Sequence, residues 1–282
     1  AAKLTQAFQE SQESLYHRSF IGETISYIYL PTYIDEGRLI DGVLNREIGT
    51  VNEEQLYRNS VHYKKQWLPQ YISTLCPHCA ASMTAAGESL VLECHNCESL
   101  WQEEKGSFVR VPFAAAEAIK GDRYLPFWKI RVSVAGDTRV QLNSYADFLR
   151  LTNQPVVIRK EHEQLELYFW LPAFKIRPKH FLSVAKNATL SQHRIPYTSG
   201  ELKNNLFPVT LTAEEAGQAI KAVLTETVLQ KRTFMPELPR LNLEVKHQEL
   251  VYLPFSSLGH DLVQDHTSIT LSRKTLYYGS TM

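Results

Sequence analysis

Residues 125–131 read Leu-Pro-Phe-Trp-Lys-Ile-Arg, and residues 171–177 read Leu-Pro-Ala-Phe-Lys-Ile-Arg. The two heptapeptides align without gaps; five of seven positions are identical, and a sixth exchanges Trp128 for Phe174. Shorter echoes stand at Tyr29-Leu30-Pro31-Thr32-Tyr33 and Tyr252-Leu253-Pro254-Phe255. Each is rich in aromatic and branched residues, the composition of strands. The first and last echoes are each followed by a glycine turn (Gly37, Gly259) and a second apolar run. The pattern predicts a strand-plus-hairpin unit used about four times. Proline lacks a ladder donor, so each repeat is expected on a sheet edge or at a bulge. Recurrent prolines and aromatics serve packing first; a recurring ligand groove is the alternative. The expected class is α+β: mostly antiparallel sheets built from repeated strand–hairpin units, with flanking helices.

Around these repeats the remaining elements follow. Leu4 to Tyr16 is weakly amphipathic at helical spacing, and Ile25 to Tyr33 reads as a strand. Asp35-Glu36-Gly37 reads as a turn returning through Arg38 to Val43. Asn52, with Glu53 and Glu54 in the next turn, opens a helix expected to reach Tyr71, since carboxylates favour the positive helix end. Ala114 to Ile119 reads as a short helix stopped by Gly121. Strands are expected at Tyr124–Val134, Thr138–Asn143, Val156–Lys160 and Gln164–Ile176, and a helix at Lys179–Leu190. Thr212, followed by Glu214 and Glu215, caps a helix expected to run to Lys231. Strands at Glu249–Phe255 and Asp261–Asp265 close the chain.

All four cysteines of the 282 residues lie in two C-x-x-C pairs, Cys76-Pro77-His78-Cys79 and Cys94-His95-Asn96-Cys97. Each pair puts two thiolates on one tight turn. Two such turns joined through a hairpin make a tetrahedral sulfur cage of the kind zinc prefers. Ser89 to Glu93 and Ser107 to Val111 are strand-like, which is the order of a zinc ribbon, protruding from the rest. Ribbons commonly carry glycine after each pair; here Ala80 and Glu98 stand there, in a backbone position that suits glycine better. The cofactor expected is one structural zinc per chain on Cys76, Cys79, Cys94 and Cys97. A single iron ion suits the same cage, and sequence does not separate the two. Cys-Pro-His-Cys is also the string of periplasmic thiol oxidants, but that chemistry needs a βαβ setting, and here a second pair follows within a hairpin. His78 and His95 are expected to be exposed or to support the thiolates. A closed four-thiolate site has no open position to activate water, so the metal argues for structure or interaction.

Composition narrows the rest. Lys+Arg and Asp+Glu are 30 each, apolar residues 44% and charged residues 21%; neither a wholly basic nucleic-acid module nor an acidic tail fits. The longest apolar run, Leu167 to Phe174, is too short to span a membrane. The N-terminal stretch has no apolar core of a secretory signal, and unspread cysteines fit a reducing cytoplasm. The neutral total hides an asymmetry: residues 1–119 carry 9 basic and 15 acidic residues, residues 120–186 carry 12 and 6. In a strand Lys129 and Arg131 share a face, as do Lys175 and Arg177. If the repeats pair in register, these four cations form a face for phosphate, nucleic acid or an acidic partner; the alternative is a solvated or internally paired face. No phosphate loop, dinucleotide fingerprint, zinc-protease motif or nucleophile elbow is present. Glu161-His162-Glu163 and the group His260, Asp261, Asp265 and His266 read as exposed polar positions rather than sites.

The ribbon, Tyr124-Leu125-Pro126-Phe127-Trp128, the run Phe169 to Pro178 and the closing Leu250-Val251-Tyr252-Leu253-Pro254-Phe255 together resemble a group of uncharacterised bacterial zinc-ribbon proteins. Some of these are loosely labelled primosomal-helicase-like. The motor's phosphate loop is missing here, so the resemblance implies a bacterial cytoplasmic zinc-ribbon protein and no activity. Three regions are expected: 1–73 (helix, hairpin, long helix), 74–111 (the ribbon) and 112–282 (the repeat-built domain, packed with 1–73). The leading functional expectation is a zinc-binding adaptor with protein partners. A nucleic-acid-binding ribbon protein is the alternative, and an enzyme with an unfamiliar site is the third.

Overall fold

The computed structural model describes residues 16–19, 32–50, 71–116, 123–135, 140–195, 198–267 and 269–279. The helices expected over Leu4–Tyr16 and Asn52–Tyr71 lie outside the described residues, apart from their last residues, as does most of the strand expected over Ile25–Tyr33. The chain forms two compact units, a small one within 24–72 and a larger one that includes everything from Ser73 onward.

In the small unit, Thr32–Asp35 (β1), Arg38–Asp41 (β2) and Glu47–Thr50 (β3) form an antiparallel sheet in that order. The expected turn joins β1 to β2 through Glu36 at φ 47° and Gly37 at φ 77°. Two successive left-handed residues match the twist of a tight hairpin. The Asp41 carboxylate accepts the Val43 and Leu44 N–H groups and shapes the next turn.

The larger unit holds two sheets. Val91–Cys94 (β4), Ser99–Glu104 (β5) and Ser107–Val111 (β6) make an antiparallel three-stranded sheet. The seven-stranded sheet comprises Phe113–Ala115 (β7), Arg123–Ala135 (β8), Phe169–Pro172 (β9), Thr198–Ser199 (β10), Asn242–Leu258 (β11), Asp261–Gln264 (β12) and Ile269–Ser272 (β13). With the seven α-helices among the described residues of the same unit, the class is α+β. Those helices are Tyr145–Leu151 (α1), Lys160–Gln164 (α2), Pro178–Leu190 (α3), Ala213–Gln218 (α4), Ile220–Thr227 (α5), Lys231–Phe234 (α6) and Arg273–Gly279 (α7).

Three of the four echoes lie side by side. β8 pairs antiparallel with β9 (Phe127↔Pro172, Trp128↔Leu171) and with β11 (Pro126↔Tyr252, Leu125↔Leu253). The prolines therefore stand next to or within the central strands, not only at the sheet's rim. The ladder is arranged around them. In an antiparallel strand the N and C=O of one residue face the same neighbour. The Pro126 carbonyl accepts from Ala173 N–H at 3.0 Å, just past the last residue of β9, so the missing donor falls where that neighbour ends. Tyr252 faces β7 and Ser256 faces β12; Pro254 stands in the gap between them. Each proline removes a donor only where no acceptor waits.

Because both faces of the central strands are covered, Leu125–Ile130, Phe169–Pro172 and Leu250–Phe255 are buried continuously rather than alternately. Phe127 lies parallel to Phe255 at 6.4 Å and edge-on to Phe174 at 6.0 Å; Phe148 of α1 meets Phe169 edge-on at 5.9 Å. The Trp128 indole N–H donates to the Leu211 carbonyl at 2.8 Å.

Local signals explain three of the helices. Ser144 and Asp147 form a reciprocal cap on α1, and Thr212 with Glu215 does so on α4. Pro178 opens α3, where its missing donor costs nothing. The helix expected from Thr212 to Lys231 is instead broken at Ala219 and ends at Thr227. Gly217, which weakens a helix by about 1 kcal/mol against Ala, precedes the break. The Thr225 and Thr227 hydroxyls donate back to the Lys221 and Val223 carbonyls in the final turn.

Other expectations are corrected. Ala114 and Ala115 are strand, not helix: β7 lies between β10 and β11, parallel to β11, and the alanines' small side chains are wholly buried there, so tertiary pairing overrides propensity. The described part of Thr138–Asn143 is irregular, 156–159 is irregular before α2, and only Phe169–Pro172 of Gln164–Ile176 is strand. β13 and α7 were not expected. Gly279 of α7 meets the Lys175 carbonyl so closely that a Cβ there would collide with it.

Candidate metal centre

The first cysteine pair sits on a turn closed by two backbone bonds: Ala80 N–H to the Cys76 carbonyl and Cys76 N–H to the Ala81 carbonyl, both 2.8 Å. The second pair forms the connection from β4 to β5, with Cys94 directly opposite Ser99. Ala80 (φ 59°) and Glu98 (φ 48°) are left-handed, as the spacing of the two turns requires, without the glycine that would ease it.

The two turns bring all four sulfurs together. Cys76 and Cys97 are 3.6 Å apart, Cys79 and Cys94 3.4 Å, and Cys94 and Cys97 3.5 Å, with every pair within 4.8 Å. None is in a disulfide; Cys76 and Cys94 are buried and the other two half-buried. This group can hold a metal ion, and among the described residues it is the only such cluster. The residues fit: metal–sulfur bonds of about 2.3 Å place the sulfurs of a tetrahedral ion roughly 3.8 Å apart. His78 and His95 are exposed, leaving the cage to sulfur alone.

Cys76, Cys79 and Cys97 are each shifted by their surroundings and by one another. Burial pushes Cys76 up, but backbone N–H groups of Cys79 and His78 and the Cys97 and Cys94 thiols pull it down to about 6. Cys79 is lowered by the Ala81 N–H, by Asn96 and by its sulfur neighbours, against a smaller effect of burial. Cys97 is pulled down by the Ser99 hydroxyl, yet burial and the other three thiols push it up to about 12. The first protons leave easily and the last is held, because adjacent thiolates repel. A divalent cation removes that repulsion.

Neighbours behind the cage orient it. The Ser99 hydroxyl lies 2.9 Å from the Cys97 sulfur and accepts the Trp101 indole N–H at 2.7 Å. Ser99 and Trp101 alternate along β5, which puts them on one face, and the turn before β5 brings Cys97 over Ser99. The two-residue spacing is visible in the sequence, although its meaning depends on how that turn folds. Met83 and Trp101 pack with Cys76 and Cys94 in a small separate core. The opposite part of the sheet joins the main core through Val91, Leu100 and Val111, and Leu90 N–H donates to the Val209 carbonyl at 2.7 Å. The sheet is therefore docked through the face of Val91, Leu100 and Val111, and turns the face of Leu92 and Trp101 to the sulfur cluster.

The four cations are not brought to one face. Lys129 is buried on β8, with its Nζ 3.3 Å from Glu249 directly across the ladder and 4.5 Å from the centre of the Tyr168 ring. Arg131 pairs with Glu166 at 2.6 Å. Lys175 and Arg177 lie beyond the end of β9; Lys175 is half-buried, and Arg177 precedes α3, exposed. Antiparallel pairing reverses one copy of the repeat, so the cationic tails part instead of meeting. Glu161-His162-Glu163 falls in α2, where the His162 ring rests on Tyr145.

No family model, curated protein or solved structure matches this chain, so the likeness to bacterial zinc-ribbon proteins rests on the residues quoted for it. Among the described residues no helix is long and apolar enough to cross a membrane.

Proposed function

We propose that Cys76, Cys79, Cys94 and Cys97 hold one structural zinc ion in a zinc ribbon, and that the protein is a non-catalytic adaptor contacting other proteins in a bacterial cytoplasmic assembly. The observation that carries this reading is the closed set of four sulfurs, with no fifth ligand beside them among the described residues. A metal so enclosed contributes folding energy and holds two turns rigidly; it offers no position for substrate. Bound zinc would allow all four thiolates to exist together, with Ser99 and Asn96 steadying Cys97 and Cys79. Native mass spectrometry of protein taken from its source, with metal quantified on the same sample, tests both halves. One zinc per chain with reproducible companion proteins is expected. A metal-free chain with an oxidised Cys76–Cys79 pair overturns the ribbon, and a bare zinc-loaded monomer overturns the adaptor.

A further inference from the structure

A cleft of about 900 Å³ lies between the loop before β4 and the C-terminal elements. Its walls include Leu206, Phe207, Leu276 and Tyr277, and two arginines, Arg123 and Arg273, reach it from different elements. No aspartate or glutamate lines it among the described residues. On the large sheet and beside it, by contrast, Lys129, Arg131 and Arg150 each face a carboxylate.

Both guanidinium groups are oriented by groups other than acids. Arg123, at the start of β8, lies over the Phe207 ring with its central carbon 4.9 Å from the ring centre. Arg273 donates to the Ser257 hydroxyl at 2.7 Å. An arginine stacked on a ring keeps its planar fork for bidentate binding of an oxyanion. Positive charge between low-dielectric walls concentrates anions. Tyr277, 67% exposed at the same cleft, offers a ring face on which a base can stack. The cleft is of the size that holds a nucleotide. A smaller hollow of about 320 Å³ shares Ala86, Asn205 and Leu206 with it and continues past Lys203 to His95 and Glu93, which face each other at 3.6 Å.

We propose that this cleft binds a nucleotide unit, its phosphate on Arg123 and Arg273 and its base against Tyr277. This goes beyond the adaptor reading and stands whichever metal the cysteines hold. The unit can be a free nucleotide or one residue of a single strand running on into the second hollow. The test is fluorescence anisotropy with a labelled oligothymidylate of about 12 nucleotides, at about 50 mM salt, with adenosine monophosphate as competitor. Binding is expected, weakened about tenfold or more in Arg123→Gln/Arg273→Gln. The strand's salt slope is expected to fall by about 0.7 when the one phosphate held by these two charges is no longer neutralised. Arg123→Lys and Tyr277→Ala, single surface changes, are each expected to weaken binding several-fold and serve if the double variant does not fold. Competition by the monophosphate only at much higher concentration than the strand identifies a strand; equal competition identifies the free nucleotide. Absence of binding by both, or unaltered binding in the folded variants, overturns the proposal.

Discussion

The sulfur cluster and the centre of the large sheet are held together by opposite means. Around Phe127 the chain buries aromatic rings on both faces of β8, and dispersion and water exclusion stabilise it. Around Cys76 only Met83, Trp101 and the cysteines themselves are enclosed, too little apolar surface to order two tight turns. There a bound metal, as proposed, would supply what burial does not. Even the charge in the large core is an internal matter, since Lys129 and Glu249 answer each other across the ladder. At the cysteines the charge needs a cation from outside.

Removing the metal should break this contrast most sharply. Chelation, or Cys94→Ser, is expected to free the amides of 76–104 for hydrogen exchange while β8, β9 and β11 stay protected; apparent zinc binding of order 10 kcal/mol or more is forfeited there. Equal loss in both regions would show the two to be one cooperative unit. Next, Glu249→Ala leaves Lys129 buried without its carboxylate and is expected to cost about 3–5 kcal/mol in denaturant unfolding. Replacing both by apolar residues should recover most of that loss. Gly279→Ala forces a Cβ against the Lys175 carbonyl, with about 1–3 kcal/mol expected from the same measurement. Smallest, and opposite in sign, Ala80→Gly relieves a left-handed residue and should raise the metal-bound module's stability by about 1 kcal/mol. Unchanged stability would show that the turn carries no strain at that position.

Much of the site was legible before any coordinates. Cysteine spacing alone named the four sulfurs that come together, and the places after each pair marked Ala80 and Glu98 as strained. The tight turn at Glu36-Gly37, the cap at Thr212 and the strands at Leu125 and Tyr252 were equally plain, because each depends on neighbours within a few residues. The arginine cleft was not legible. Arg123, Phe207 and Arg273 are far apart in the chain, and nothing local distinguishes Arg123 from Arg131, which faces Glu166.

The sequence by itself determined which sulfurs can share an ion, that Leu125 and Tyr252 lie in strands, and that the chain turns at Gly37 and Gly259. Only the tertiary structure decided how the repeats pair, that Ala114 joins a sheet rather than a helix, and which cations meet a carboxylate. The reason is one of range. Thiolate spacing, capping and turn dihedrals act over three or four residues. Strand register and charge pairing are settled by whichever distant segment arrives opposite, and one reversal of direction sends Lys129 to Glu249 and Lys175 elsewhere.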